Sequence, residues 1–349
     1  MSAPEFGYRS VVVRRGGAAL RWSLRSVVVC SVLAAATFAV TVWALMRGDY
    51  ALTPGEVWSA LIGDPEAGFA RTVVVEWRLP RALAAVVFGA ALGVSGAVFQ
   101  SMIGNPLASP DVIGFSAGAY TGAIVVLVVL GGSYLQLAGG AFAGGMATAV
   151  VVYVVAWKHG VQGFRLIIVG IAVSAMLASV NTWLLLNADL KVAIRAGVWG
   201  TGSLDGTGWE QLGWAAAAAA VLLVAVAACG PSLRQLELGD DAAAATGVRV
   251  ESVRRTAMVL GVALTAVVTA AAGPIAFVAL AAPQVARRAA RTPGVTLAPA
   301  AFAGAFLLAL ADLVAQHLLF VSMPTGVVTV VAGGMFLIWL VVVEARCRG

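Results

Sequence analysis

Runs of about twenty apolar residues recur along the chain, separated by short gaps into which the arginines are gathered. A hydrocarbon layer about 30 Å thick is crossed by about 20 helical residues at 1.5 Å rise each, so most runs have the length of a membrane span. The pattern predicts spans at 27–46, 82–103, 112–130, 135–157 and 166–187 in the first half of the chain. In the second half it predicts 212–229, 256–272, 275–286, 295–320 and 327–343. The 275–286 segment is short for a full crossing, and a tilted or half-inserted helix is expected there. The expected fold is an all-α polytopic membrane protein with about ten transmembrane helices.

Composition agrees: 61% of residues are hydrophobic and 11% charged, which leaves too little polar surface for a water-soluble domain. The 22 basic residues divide sixteen to six between alternate gaps. Lys and Arg beside a span are held back on the cytoplasmic side, so the richer set faces inward and both termini are cytoplasmic. The division into parts follows: an arm at 1–25, one transmembrane domain at 26–345 with a long inner loop at 230–255, and a tail at 346–349. The basic start resembles a signal peptide, but its apolar run is span-length and lacks a small-x-small cleavage site, so it reads as a retained first span. The net charge of +6 rims a bilayer and suits anionic lipid headgroups; no nucleic-acid motif accompanies it. Cys30, Cys229 and Cys347 map to cytoplasmic ends without metal-ligand spacing and read as small apolar filler.

Ionisable groups in lipid are costly and usually mark an ion route. Only Asp312 lies well inside a span, with Asp189 at an outer helix end and His159 and His317 the only histidines. An ion-coupled carrier with Asp312 as its coupling carboxylate is the rival reading, and an interhelical hydrogen bond is the preferred role for that residue. The sequence contains no Gly-x-x-x-x-Gly-Lys-Ser/Thr loop and no His-Glu-x-x-His. The chain is therefore not read as an enzyme, no directly bound cofactor or metal is expected, and any ATP is bound by a second polypeptide. Gly89 and Gly93, then Gly114, Gly118 and Gly122, recur at steps of four. That spacing suits tight helix packing in lipid, with pathway lining as the alternative.

Three stretches stand out as interaction surfaces. Arg78-Leu79-Pro80-Arg81 sets two guanidinium groups on the outer side, against the positive-inside tendency. They suit carboxylates of another protein, or headgroup snorkelling. Gly104 to Asp111 contains Asn105 and two prolines, Pro106 and Pro110, that stop the second span, and Asp111 is placed to cap the next helix. In the long inner loop, Leu238 and Gly239 precede Asp240 and Asp241, which favour a helix start. Ala242 to Ala245, including Ala244, continue that helix, and Thr246 and Gly247 close it. A helix so short needs a surface to dock on.

Arg78 to Arg81, followed by Gly89-Ala90-Ala91-Leu92, Ser95-Gly96, Gln100 and Asn105-Pro106-Leu107-Ala108, resembles the opening signature of FecCD-type permeases. These are membrane subunits of ABC importers for iron-siderophores, haem and vitamin B12. Trp199 to Ser203, the Leu238 to Gly247 loop, Gly273-Pro274-Ile275-Ala276-Phe277-Val278, Pro324-x-Gly326-Val327-Val328-Thr329 and Phe336 continue the resemblance in order. It implies a ten-helix subunit in the inner membrane, of the vitamin B12 permease fold, dimerising around a central pathway. ATPase subunits would sit below, and a periplasmic or lipid-anchored binding protein above.

By that resemblance Arg78 and Arg81 dock the binding protein, Leu238 to Gly247 form the coupling helix on the ATPase, and Gln162, Gly163 and Phe164 fall at the inner gate. The implied activity is ATP-driven import of an iron-siderophore complex by alternating access, with cobalamin or haem as alternatives. The chain departs from the family pattern at Gln284 (usually His), Gln316 (often Arg), Ser322 (frequently Glu) and Gly334 (usually Pro). These departures suggest a heterodimer with a more typical related permease in place of a homodimer.

Overall fold

The computed structural model describes residues 10–15, 18–156, 163–292, 294, 296–318 and 321–348. Lys158, His159 and Gln162 lie outside them. Ahead of the membrane helices, β1 (Ser10–Arg15) and β2 (Ala18–Ser23) form an antiparallel hairpin with Ser10 opposite Ser23. The arm expected at 1–25 thus contains regular structure that its sequence did not announce. Every regular element described after it is a helix, as the long apolar runs lead one to expect.

Each expected span corresponds to a helix. The first half holds α1 (Leu24–Met46), α4 (Leu79–Ile103), α5 (Phe115–Leu130), α6 (Tyr134–Ala156) and α7 (Gly163–Leu186). The second holds α9 (Trp209–Leu236), α11 (Val250–Ala272), α12 (Val278–Ala290), α13 (Leu297–Leu313) and α14 (Thr325–Arg348). Shorter helices that hydropathy did not predict are α2 (Pro54–Ile62), α3 (Gly68–Arg71) and α8 (Leu190–Gly200); α10 (Asp240–Ala245) is the helix expected in the long loop. Wide π turns at Thr72–Arg78 and Val314–Leu318 open α4 and prolong α13.

Helices α4 and α11 form the centre, each with 78% of its apolar window buried, against 11% for α1 and 17% for α7. The glycine steps explain how the centre packs. A methyl group at Gly89 or Gly93 would overlap the backbone of Gly304 or Ala300 on α13, and one at Gly118 or Gly122 would overlap α6 at Thr148 or Gly140. The packing reading of these glycines therefore holds at the backbone level. Gly114 is different: it takes φ 93° and starts α5.

Helix α12 has 13 residues, about 20 Å at the helical rise, and does not cross alone. Its first turn lies opposite the last turns of α4, where the Ala279 carbonyl packs on Gly96 and Gln100 Nε2 donates to the Leu280 carbonyl at 3.0 Å. The non-helical segment Gly273 to Phe277 precedes it. An unwound segment followed by a short helix therefore stands where the 275–286 span was expected. Phe277 ends that segment at φ 68°, a left-handed backbone that costs a non-glycine residue about 1–3 kcal/mol.

Candidate functional site

At the end of the bundle where α4 begins, Arg78 and Arg81 lie on one turn yet serve different partners. Arg78 donates through Nη1 to the Leu45 carbonyl at 2.8 Å and through Nη2 to the Tyr50 carbonyl at 2.7 Å. It thereby ties the last turn of α1 and the chain beyond it to the start of α4. Arg81 grips Asp312 of α13, with Nη2 2.9 Å from Oδ1 and Nε 3.2 and 3.1 Å from the two carboxylate oxygens. Its Nη1 pairs with Asp205, in the loop between α8 and α9.

The Asp312 side chain is 5% exposed, and a buried charge needs this degree of pairing. Beyond Arg81, its carboxylate accepts from Thr325 Oγ1 at 2.7 Å, at the first residue of α14, and from Gln316 Nε2 at 2.5 Å. This supports the interhelical hydrogen-bond reading of Asp312. Four elements meet there: α4, α13, the first residue of α14 and the 203–207 loop. Asp205 and Thr325 carry no local signature, and Asp205 is 124 residues from its partner, so sequence alone offered no signal for them.

The same end holds a shallow cleft of about 160 Å³ between α5 and α8, lined by Leu127, Gly131, Lys191, Val192 and Arg195. Its two cations stand one helical turn apart on α8.

At the opposite end, Gly104 stops α4 at φ 67°, two residues before the proline expected to do so. Asn105 Oδ1 accepts from the Leu107 N–H at 2.9 Å and folds the turn, while the Pro106 carbonyl accepts from Gln284 Nε2 at 3.3 Å. The same Gln284 nitrogen donates to Gln100 Oε1 at 2.5 Å. The residue where the family pattern carries His is thus a neutral clamp holding α12 to α4 and to the loop. A cavity of about 170 Å³ opens beside it, lined by Gln100, Asn105, Pro106, Glu237, Gln284 and Arg287 among others.

Asp111 does not cap α5 as expected, because the 111–114 turn intervenes and Gly114 takes the cap position. Its Oδ1 accepts from Ser116 Oγ at 2.6 Å, and Oδ2 is buried without a hydrogen-bond partner. Burial pushes its carboxyl up to about 6, although the Ser116 hydroxyl acts in the opposite direction.

Also at this end, α10 projects from the bundle. Of its six residues only Ala243 is buried; Asp240, Asp241 and Ala244 are exposed, as are Leu238, Gly239 and Thr246 beside them. Arg254 Nη2 holds Asp240 Oδ1 at 2.8 Å, fixing the start of α10 to α11. Gly247 at φ 87° donates its N–H to the Ala244 carbonyl and closes the helix. Gly163 opens α7, and Phe164 beside it is 76% exposed.

Comparisons with known proteins agree over nearly the whole chain. A family model described as the FecCD transport family matches residues 34–343. The chain is 46% identical over 325 residues to the ferric enterobactin transport system permease protein FepG of Escherichia coli, covering 93% of this chain and 98% of that one. It is 36% identical over 345 residues to the achromobactin transport system permease protein CbrC of Dickeya dadantii, covering 95% and 96%. Among solved structures, one described as an inward-facing conformation of a metal-chelate type ABC transporter superposes with a TM-score of 0.80 at 25% identity, covering 90% of this chain and 98% of that one.

Proposed function

The chain belongs to the FecCD transport family, and from that premise we propose that it is the membrane-spanning permease subunit of an ATP-driven importer of an iron-siderophore complex. The observation that carries this reading is the nearly end-to-end match to permeases named for ferric enterobactin and achromobactin transport. Nothing at residue level selects one chelator, and cobalamin or haem stands as the alternative cargo.

In this reading ATP is hydrolysed by a separate pair of ATPase subunits. They seat on the end that carries Leu238 to Gly247, where α10 leaves apolar and acidic groups uncovered. The concentration of Lys and Arg in gaps on that side supports a cytoplasmic assignment for it and for both termini, in the inner membrane and against anionic lipid headgroups. A periplasmic or lipid-anchored binding protein docks on the opposite end, around Arg78 and Arg81.

Helix α7 and the described part of α14 carry exposed apolar side chains, including Ile168, Ile171, Met176, Trp183, Met335 and Ile338, which support a seat for a second permease subunit. We favour a related permease over a second copy, on the departures at Gln284, Gln316, Ser322 and Gly334. Gly163 and Phe164, at the start of the exposed α7, are placed at the inner gate.

Deleting the gene and measuring uptake tests the cargo. Loss of radiolabelled ferric siderophore uptake with intact cobalamin and haem uptake is expected. The reverse pattern would replace the cargo assignment.

A further inference from the structure

The Arg81 side chain is 16% exposed, and one of its two carboxylate partners, Asp205, is itself 64% exposed. The two acids on Arg81 are therefore unequal. Asp312 is buried and held by three elements, so it cannot leave without stranding a charge. Asp205 is solvated, sits in a loop, and holds one guanidinium nitrogen, so its hold on Arg81 is weak and screened by solvent.

The loop that carries Asp205 is also a structural joint. Asp205 N–H donates to Ser203 Oγ at 3.0 Å, Ser203 N–H donates to the Ala272 carbonyl at 2.8 Å, and Gly326 N–H donates to the Gly202 carbonyl at 2.9 Å. Gly202 packs on the Pro274 carbonyl as well. The Arg81–Asp205 pair thus closes a short chain of bonds linking the start of α4 to the first turn of α14 and to the unwound segment between α11 and α12.

We propose that Asp205 is an internal stand-in for a carboxylate of the docking protein: on docking, an acidic side chain of the partner replaces Asp205 on Arg81, and the freed 203–207 loop loosens its hold on α14 and on the 273–277 segment. The proposal rests on the docking role of Arg81 stated above and adds the competitor and the element it controls. Docking is then reported to the bundle by exchange of one anion for another on the Arg81 nitrogen that Asp312 does not hold. The partner surface that fits is a carboxylate on a narrow projection able to reach a guanidinium 16% exposed.

The test is a double-mutant cycle on the full complex in nanodiscs, titrated with the fluorescently labelled binding protein encoded with the transporter. Asp205→Asn removes the competitor and is expected to tighten binding about two- to fivefold, the fold-change matching an exposed ion pair. In an Arg81→Gln background, which itself weakens binding, Asp205→Asn is expected to change nothing. Arg81→Lys keeps the charge above Asp312 and serves if the Gln variant does not fold; Asp205→Asn should again tighten binding there. Weaker or unchanged binding in Asp205→Asn, with Arg81→Gln still impaired, overturns the exchange and leaves the docking role standing. Unchanged binding in Arg81→Gln removes the docking role and the exchange together.

Discussion

Replacing Asp312 with Asn removes the buried counter-charge of Arg81. The two side chains are 16% and 5% exposed, so solvent screens the pair poorly and the cost of breaking it is large. Removing one member of a buried pair costs about 3–5 kcal/mol; Asp205 remains as a partial partner, which argues for the low end, about 3 kcal/mol. Asn also offers one acceptor oxygen where the carboxylate uses both, accepting from Arg81, Thr325 and Gln316.

Reversible unfolding by steric trapping in bicelles measures the change directly. Arg81→Met combined with Asp312→Leu supplies the control, because a packed apolar pair of similar volume is often neutral where a lone buried charge is not. We expect the double variant to recover most of the loss. An Asp312→Asn protein within about 0.5 kcal/mol of the parent would refute the claim that this pair holds the ends of α4, α13 and α14 together.

Other expectations follow from the same geometry. Gly96→Ala places a methyl group on the Ala279 backbone and should destabilise the bundle by at least the ~1–3 kcal/mol of an overpacked core, whereas Gly334→Ala, whose new methyl would meet nothing within 4 Å, should be near neutral; parallel unfolding measurements compare them. Asp111 has a folded-state pKa of about 6, above its ordinary 3.8, so the fold holds the proton more tightly. Stability should therefore fall as pH rises from about 4 to 6 and level off above, and Asp111→Asn should flatten that slope in melting curves. Leu238→Glu, on the exposed approach to α10, should leave membrane insertion intact and reduce uptake per ATP hydrolysed in proteoliposomes; unchanged coupling would remove α10 from the ATPase contact. The affinity-purified complex should contain a second, related permease in equal amount; two copies of this chain as the sole permease would end the heterodimer reading.

The spans were legible because a lipid solvent imposes a simple rule on length and polarity, and each expected segment became a helix. Short amphipathic elements escaped that rule: α2 and α8 mix apolar and charged residues within about three turns and resemble connections. The glycine steps were legible because a four-residue period places them on one helix face. The α10 helix was legible from Asp240, Asp241 and Gly247, whose local preferences need no distant partner. The arginine end was not, since Arg81 meets Asp312 across 231 residues and Arg78 spends its donors on backbone carbonyls that carry no residue identity. Local chemistry pointed to two outward-facing forks; tertiary packing turned one into a brace and gave the other a buried anchor.

We read this chain as a conduit driven by a separate ATPase. Its most direct test is transport into vesicles containing the purified permease with its partner permease, with and without the ATPase subunits, supplied with binding protein, ferric siderophore and ATP. Accumulation against a gradient that needs both the ATPase and ATP hydrolysis is the expected result. Accumulation by the permeases alone, driven by a proton or sodium gradient, would contradict it and return Asp312 to the role of coupling carboxylate.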